Sequence, residues 1–410
     1  MKLLTLFLAI ATSVASFDQQ QVFTLETPRL IQLGKTLPPV WMTEREKNDL
    51  RLKARATGPG ITFMDITDTQ DLGSRTHTRV RSPYHSPNAS DQVKSVIKKL
   101  STEGPRANLE KFTSFHTRYY RSESGKQSQK WLLSRINETT TSTASPTLLK
   151  RITIREFPHP WGQNSIIARI NGSVNPDEIV IIGAHQDSQN YANPDLAAPG
   201  ADDDGSGSIT ILESYRALLS ADFSPERTVE FHWYAAEEVG LLGSQAVAAD
   251  YERRGQDVVA MSQFDMVAWV KRGTKEVIGI ITDEDWTDEG CVVDVEFPPT
   301  LAPDRRVLIA RPPRSLSNFN KKLVEAYLDI PWVDTKCNQI CSDHSSWTKA
   351  GYPSSFNFES IYEDYNPHVH GVEDRTDISD EFSFDHMLEF SKLAVAFAVE
   401  LGLGGGEDVE

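Results

Sequence analysis

Residues 179–188 read IVIIGAHQDS, an apolar run that passes directly into a histidine and an aspartate two positions apart. A run with no polar side predicts a strand buried on both faces, as in parallel sheets covered by helices. Side chains two apart on a strand point the same way. His185 and Asp187 therefore leave the sheet together at its carboxyl end, where open α/β sheets bind their ligands. A carboxylate beside an imidazole suits a metal-ligating histidine whose second nitrogen is held in place. Taken alone, the pair fits a capped strand end equally well.

The rest of the chain supplies the sheet that such a strand needs. Strand-like runs fall at 149–157, 165–170, 178–183, 228–235, 258–264 and 276–282, and helical periodicity falls at 206–219, 241–254, 318–328, 342–350 and 384–401. Shorter helical patterns at 91–100, 109–115 and 131–136 open the domain. Alternation of this kind predicts an α/β fold, a single globular domain with a mixed, largely parallel central sheet sandwiched by helices.

Before that domain the chain reads differently. Met1-Lys2, the apolar run LLTLFLAIATSVA and Ser16 have the order of a secretory signal peptide, which assigns residues 1–16 to a leader and the protein to the secreted class. No apolar run approaches the ~20 residues that span a bilayer, so no membrane association is expected. Residues 17–79 carry scattered prolines, few strand-like runs and one helix, announced by the capping box Thr43-x-x-Glu46. A segment that cannot bury a core of its own reads as a propeptide, or alternatively as a small accessory domain. Its boundary lies between 73 and 87, the main domain runs over 80–403, and 404–410 is a flexible tail. Sequons at Asn88, Asn137 and Asn171 agree with export. A formal net charge of −16 argues against nucleic-acid partners.

Three further polar clusters sit where strands should end. They are GADDDGSG at 200–207, AAEEVGLLGS at 235–244 and QFDM at 263–266. Adjacent carboxylates repel one another, a cost tolerable in a solvated loop or beside a multivalent cation. Two consecutive glutamates leaving a strand face opposite sides and can hold different partners. With only three cysteines there is no thiolate zinc site, so a metal here would rest on His, Asp and Glu. Cys337 and Cys341 can close a small disulfide loop, leaving Cys291 as a free, buried thiol.

Together, HQDS, APGADDDGSG, YAAEEVGLLGSQ, QFDM, the CxxxCSDHSSW segment, GYP with FES, and DYNPHVH resemble, in order, the motifs of the secreted two-zinc leucyl aminopeptidases of bacteria and fungi. FHTRYYRSESGKQSQKWL at 115–132 belongs to the same resemblance, which covers about 94–401. It implies two zinc ions, with His185 and Asp265 ligating one, Glu238 and His370 the other, and Asp203 bridging them. It further implies that Glu237 is the general base, that Asp187 supports the histidine ligand, that the Asp203–Asp204 peptide is cis, and that His344 is not a ligand. The implied activity is hydrolysis of the N-terminal residue of peptides with a free amino terminus, leucine and other large apolar residues preferred, by a monomer. Two zincs lower the pKa of a water and polarise the scissile carbonyl, and a carboxylate base carries the proton. A non-catalytic receptor ectodomain, a one-zinc cyclotransferase and a carboxypeptidase are the rival readings. The ligand set with Glu237 disfavours the first, and no arginine clamp for a carboxylate is assignable for the last. One departure stands out: several relatives carry a tyrosine at the centre of the cysteine-bracketed loop, where this chain has Gln339, a possible transition-state donor.

Overall fold

In the computed structural model, which describes residues 26–35, 37–57, 61–75, 84–283, 293–295, 307–309 and 316–404, the early part of the chain is more ordered than its composition suggests. Strands β1 (Pro28–Gln32), β2 (Val40–Thr43) and β3 (Met64–Asp65) form an antiparallel sheet in the order β2-β1-β3, with helix α1 (Glu44–Thr57) between the last two. The capping box closes as expected: the Thr43 N–H donates to Glu46 Oε2 at 2.7 Å and the Glu46 N–H to Thr43 Oγ1 at 3.2 Å. The expectation of few strands here is corrected. These strands are short, β1 alternates buried with less buried residues and β2 has none buried, so they leave no apolar run. The segment still has no separate core, since Met64 and Ile66 pack with Leu241 and Ile340 of the main domain.

Helices α2 (Ser90–Ile97), α3 (Glu103–Thr113) and α4 (Glu123–Thr143) follow. The Ser122 hydroxyl accepts the Gly125 N–H and starts α4 well before its apolar stretch. A serine cap at 145 with proline behind it makes a one-turn helix, α5 (Pro146–Leu149), so the strand read from 149 starts later. That strand is β4 (Ile152–Phe157), followed by β5 (Ser165–Ile170), β6 (Asn175–His185), α6 (Gly207–Ser220), β7 (Arg227–Tyr234), α7 (Leu242–Arg254), β8 (Asp257–Phe264) and β9 (Ile278–Ile281). Beyond them lie the small pair β10 (Val293–Val295) and β11 (Val307–Ile309), then α8 (Leu316–Tyr327), β12 (Trp332–Thr335), α9 (His344–Lys349), β13 (Ser354–Phe358) and α10 (Phe384–Gly402). Cys291, the leader and nearly all of the tail lie outside the described residues.

The main sheet has eight strands in the order β12-β9-β13-β8-β6-β7-β5-β4. It is mixed: β12/β9, β13/β8, β6/β8 and β6/β7 are parallel, and the other three neighbours are antiparallel. Its central strand is β6, buried on both sides. Val180 and Ile182 enter the large core with α6 and α10, whereas Ile179 and Ile181 enter the smaller core with Val247 and Tyr251 of α7. Burying each such side chain is worth about 1.5–3 kcal/mol, which pins the strand's register. With β7 on one side of β6 and β8 on the other, the chain reverses direction of winding at β6, and a crevice opens beyond the carboxyl ends of these strands.

Candidate active site

That crevice receives the polar clusters. β6 ends in His185, β7 leads into Glu237 and Glu238, and β8 leads into Asp265. Asp203 comes from a tight turn at Ala201–Ser206 ahead of α6, with a cis peptide between Asp203 and Asp204. His370 arrives from the loop after β13. Ala236, Met266 and His370 have φ of 58°, 56° and 57°, left-handed values that aim the residues beside or at the cluster.

The distances fall into two groups that share Asp203. His185 Nε2 is 3.0 Å from Asp203 Oδ1 and 3.5 Å from Asp265 Oδ1, while His370 Nε2 is 2.7 Å from Asp203 Oδ2 and 3.5 Å from Glu238 Oε2. Accordingly His185, Asp203 and Asp265 could hold one metal ion, and Asp203, Glu238 and His370 another. Both ring nitrogens of His185 and Oδ1 of Asp265 are buried without an aligned hydrogen bond. Atoms that approach so closely without bonding to each other face a common point, as ligands do. The donor set, imidazole and carboxylate without thiolate, suits zinc.

Electrostatics point the same way. Burial, reinforced by Asp203, pushes the Glu238 carboxyl well above the usual range, and burial with Asp343 and Asp265 does the same to Glu237 against the opposing pull of His185. Burial works against ionised Asp203 as well, yet His370 and His185 hold it below the usual range. Burial would lower His185, but Asp265, Asp187 and Asp203 hold its imidazole well above the ordinary value. So many buried acids around two imidazoles repel one another unless a multivalent cation joins them.

A second tier of groups fixes the first. Asp187 accepts the Glu237 N–H at 3.0 Å and the Glu238 N–H at 3.2 Å, and lies 3.5 Å from His185 Nδ1. Asp204 accepts from the N–H groups of His185, Gly207 and Met266, tying β6, α6 and the end of β8 together. Asp374 accepts the N–H groups of Asp202 and Asp203 at 2.9 and 3.1 Å. Fully buried Arg118 donates to the carbonyls of Gln186, Pro199 and Gly200 and lies 4.3 Å from the Phe112 ring centre, so one guanidinium joins the loop after His185 to the loop before Asp203. Sequence reasoning assigned no role to Arg118 or Asp374. The first lay in a quoted motif without a chemical signature, and the second in the featureless stretch GVEDRTD.

His344 is fully buried 5.0 Å from the Phe356 ring and belongs to neither metal-holding group. Burial pushes its imidazole down to about 3, the state of a neutral packing residue. Cys337 and Cys341 form a disulfide with Cα atoms 6.4 Å apart. Asn88 and Asn137 are exposed, whereas Asn171 is half-buried and donates from Nδ2 to the Arg151 carbonyl at 2.9 Å. Beside the cluster opens a cavity with an apolar wall of Met266, Phe356, Phe358, Tyr362, Tyr365 and Val369. Arg55, Ile61 and Thr62 of the early segment line it as well.

Comparison with known proteins agrees with this geometry. Residues 165–298 match the model of peptidase family M28. Leucine aminopeptidase 1 of Colletotrichum graminicola is 44% identical over 373 residues, covering 88% of this chain and 83% of that protein. The chain belongs to peptidase family M28. Leucine aminopeptidase 1 of Metarhizium robertsii is 43% identical over 403 residues, 96% of this M28 chain and 90% of the relative. Among solved structures, the LapA aminopeptidase of Legionella pneumophila superposes with a TM-score of 0.74 at 26% identity, over 92% of this chain and 99% of that one. LapB of the same organism gives 0.72 at 25%, with the same coverage. Among the described residues of this M28 peptidase no helix is long and apolar enough to cross a membrane.

Proposed function

We propose that this M28 enzyme removes the first residue from peptides with a free amino terminus, preferring leucine and other large apolar side chains, with two zinc ions and Glu237 as general base. Family and relatives make it a zinc-dependent aminopeptidase. The observation that carries the finer reading is the pair of three-donor groups sharing Asp203, set between buried Glu237 and an apolar wall. His185 and Asp265 would hold one zinc, Glu238 and His370 the other, with Asp203 common to both. When bound, zinc lowers the pKa of a water and polarises the scissile carbonyl. Glu237 takes the water's proton and returns it to the leaving amine, a task suited to a carboxyl whose burial raises its basicity. Asp187 keeps Glu237 and Glu238 aimed through their backbone N–H groups. The apolar wall receives the first side chain and offers no charge to a polar one. Release of leucine from a dipeptide and its anilide should be lost to chelators and restored by zinc, and N-acetylation of the substrate should block it. Cleavage of acetylated substrate, or release from the carboxyl end, refutes the reading.

The protein is further proposed to be secreted as a monomer behind the leader 1–16, with residues 17–79 keeping it latent. For the latency, support comes from contacts of this segment on the cavity rim and on the glutamate loop. Arg55 donates to the carbonyls of Val369 and His370 at 2.5 and 3.4 Å, and the Arg51 guanidinium lies 4.2 Å from Phe63 and 5.0 Å from Tyr191. Asp65 accepts from Arg29 at 2.7 Å and Lys47 at 3.3 Å, and its own N–H donates to Gly240 O at 3.0 Å. A Cβ at Gly240 would stand 2.8 Å from Asp65, so only glycine lets the segment sit this close to the glutamate loop. Proform and trimmed enzyme should differ in specific activity; equal activity at matched zinc content sinks the idea.

A further inference from the structure

One residue of the apolar wall, Tyr362, belongs to a polar pair that the reaction above does not use. Gln339, in the disulfide-closed loop, donates from Nε2 to the Tyr362 hydroxyl oxygen at 2.9 Å, and its Oε1 accepts the Thr62 N–H at 3.1 Å. A backbone N–H can only donate, so in the full chain, before residues 17–79 are removed, Thr62 sets which end of the amide faces the tyrosine. The loop itself is held from within the domain, because Asp283 accepts the N–H groups of Cys337 and Asn338 at 2.9 and 3.0 Å. Tyr362 thus receives a hydrogen bond on its oxygen and gives its own proton to no acceptor among the described residues. Its ring is fixed between Phe358 and Tyr365, with centres 5.5 and 5.8 Å away, and its N–H donates to Thr335 Oγ1 at 2.8 Å. Burial pushes the phenol up to about 12, so it is a neutral donor in any ordinary working range.

Tyr362 lines the same cavity as Asp203, Glu237 and Asp265. A leucine-like side chain offers it no acceptor, and a free amino group is a donor or a metal ligand. The acceptor that the first residue of a peptide does offer is its carbonyl oxygen. We propose that Tyr362 is a further catalytic residue, its hydroxyl donating to the scissile carbonyl oxygen as that oxygen gains charge, with Gln339 as the positioning residue that holds the phenol. The inference rests on the aminopeptidase reading above and adds a donor that neither the metals nor Glu237 supply.

The test uses Tyr362→Phe, Gln339→Leu and the double variant, each expressed as the full chain and trimmed by limited proteolysis. Steady-state kinetics on leucine anilide are joined by calorimetric binding of leucine and of leucine phosphonate, whose tetrahedral oxygens mimic the charged state. Tyr362→Phe should lower kcat at least about tenfold and leave KM within about twofold. It should weaken the phosphonate at least about tenfold and leucine less than about twofold, at unchanged zinc content and Tm. Gln339→Leu should act in the same direction more weakly, and should add nothing on top of Tyr362→Phe. Wild-type kcat in Tyr362→Phe overturns the proposal. So does a rise in KM alone with leucine and phosphonate weakened equally, which would make the hydroxyl part of the pocket's packing, and so does full additivity in the double variant. A wild type without aminopeptidase activity sinks the underlying reading instead, whereas an active wild type with an unimpaired Tyr362→Phe sinks this inference only.

Discussion

Asp187→Asn is the smallest change that should disable the site while leaving every proposed metal ligand in place. The carboxylate is buried and uses one oxygen for the Glu237 N–H at 3.0 Å and the other for the Glu238 N–H at 3.2 Å, with His185 Nδ1 at 3.5 Å. Asparagine has the same shape but one oxygen, so whichever way it turns, an NH₂ group meets a backbone N–H. One charge-assisted hydrogen bond worth about 1.5–3 kcal/mol is lost, and a buried N–H left without a partner costs about 1–3 kcal/mol more. Part of that total will appear as lower stability, and the part that falls on the aim of Glu237 and His185 will appear in the reaction. Partners of metal-ligating histidines typically contribute roughly 10–100-fold to activity or metal affinity. The expected result is therefore a fall in kcat/KM of roughly that size, with weaker zinc retention against a chelator series and a lower Tm. Leucine anilide kinetics at saturating zinc, zinc titration and thermal unfolding separate the three. A variant with kcat/KM within about twofold of wild type and unchanged zinc affinity would refute the view that this carboxylate organises the site.

Glu237→Gln should lose about 10²–10⁴-fold or more in kcat while zinc content stays at that of the wild type. His370→Ala should lower bound zinc by metal analysis, and His344→Ala should not. Arg118→Met should lower Tm and kcat together, since three carbonyls lose a shared donor, and a variant active at wild-type level up to its melting point would show that the two loops need no such tie. For the early segment the sign of the pH effect follows from Asp65: burial acts against its ionised form, but Lys47 and then Arg29 outweigh it and hold the carboxyl below 3.8. That stabilisation is complete above the unfolded value near ~3.9 and is lost as pH falls through the lower folded value. Hydrogen exchange of the Met64 and Asp65 amides, corrected for intrinsic rate, should therefore open only below about pH 4, and in Asp65→Asn at neutral pH as well; protection unchanged at pH 3 would remove Asp65 from the hold.

The central strands were legible because they are mostly apolar. β6, β7 and β8 are buried on both faces, and although β7 also buries Glu230 and His232 and β8 buries Ser262 and Gln263, enough of each strand is apolar to mark it, and each leads into residues of the site. β13 belongs to the same sheet and was invisible for the opposite reason. Its residues Ser354, Ser355 and Asn357 are buried, but they are satisfied by one another's neighbours rather than by being apolar. Asn320 of α8 donates to Ser355 Oγ at 3.0 Å and to Asn357 Oδ1 at 2.9 Å, and Asn357 donates to Ser262 Oγ at 2.8 Å. Hydropathy cannot distinguish such a strand from a loop, because the property that permits its burial is a set of partners far away in sequence. β12, with four residues after a proline, is simply too short to carry a period.

The same division runs through the site. His185, Asp203, Glu237, Glu238 and Asp265 could be read because each stands at a strand end or a glycine-flanked turn, where a charged residue needs a reason to be. Residues that hold these groups have no such mark. Asp374 serves through acceptance of two backbone N–H groups, Arg118 through donation to backbone carbonyls, and neither task asks for any particular neighbour in the chain. Asp202 and Glu359 extend the point: burial pushes both carboxyls above their usual range, they share a hydrogen bond, and Glu359 also accepts the N–H groups of Trp269 and Asn366. A turn carrying three consecutive acids folds into the interior because the outer two carboxylates have donors of their own, Asp202 from Ala268 and Asn366 and Asp204 from three backbone N–H groups, whereas Asp203, between them, faces the ring nitrogens of the two histidines without an aligned hydrogen bond. Asp203 is thus the one acid of the triplet whose carboxylate no hydrogen bond among the described residues holds, which suits the cation site proposed above, and its position in the middle follows from the other two being used to hold the turn.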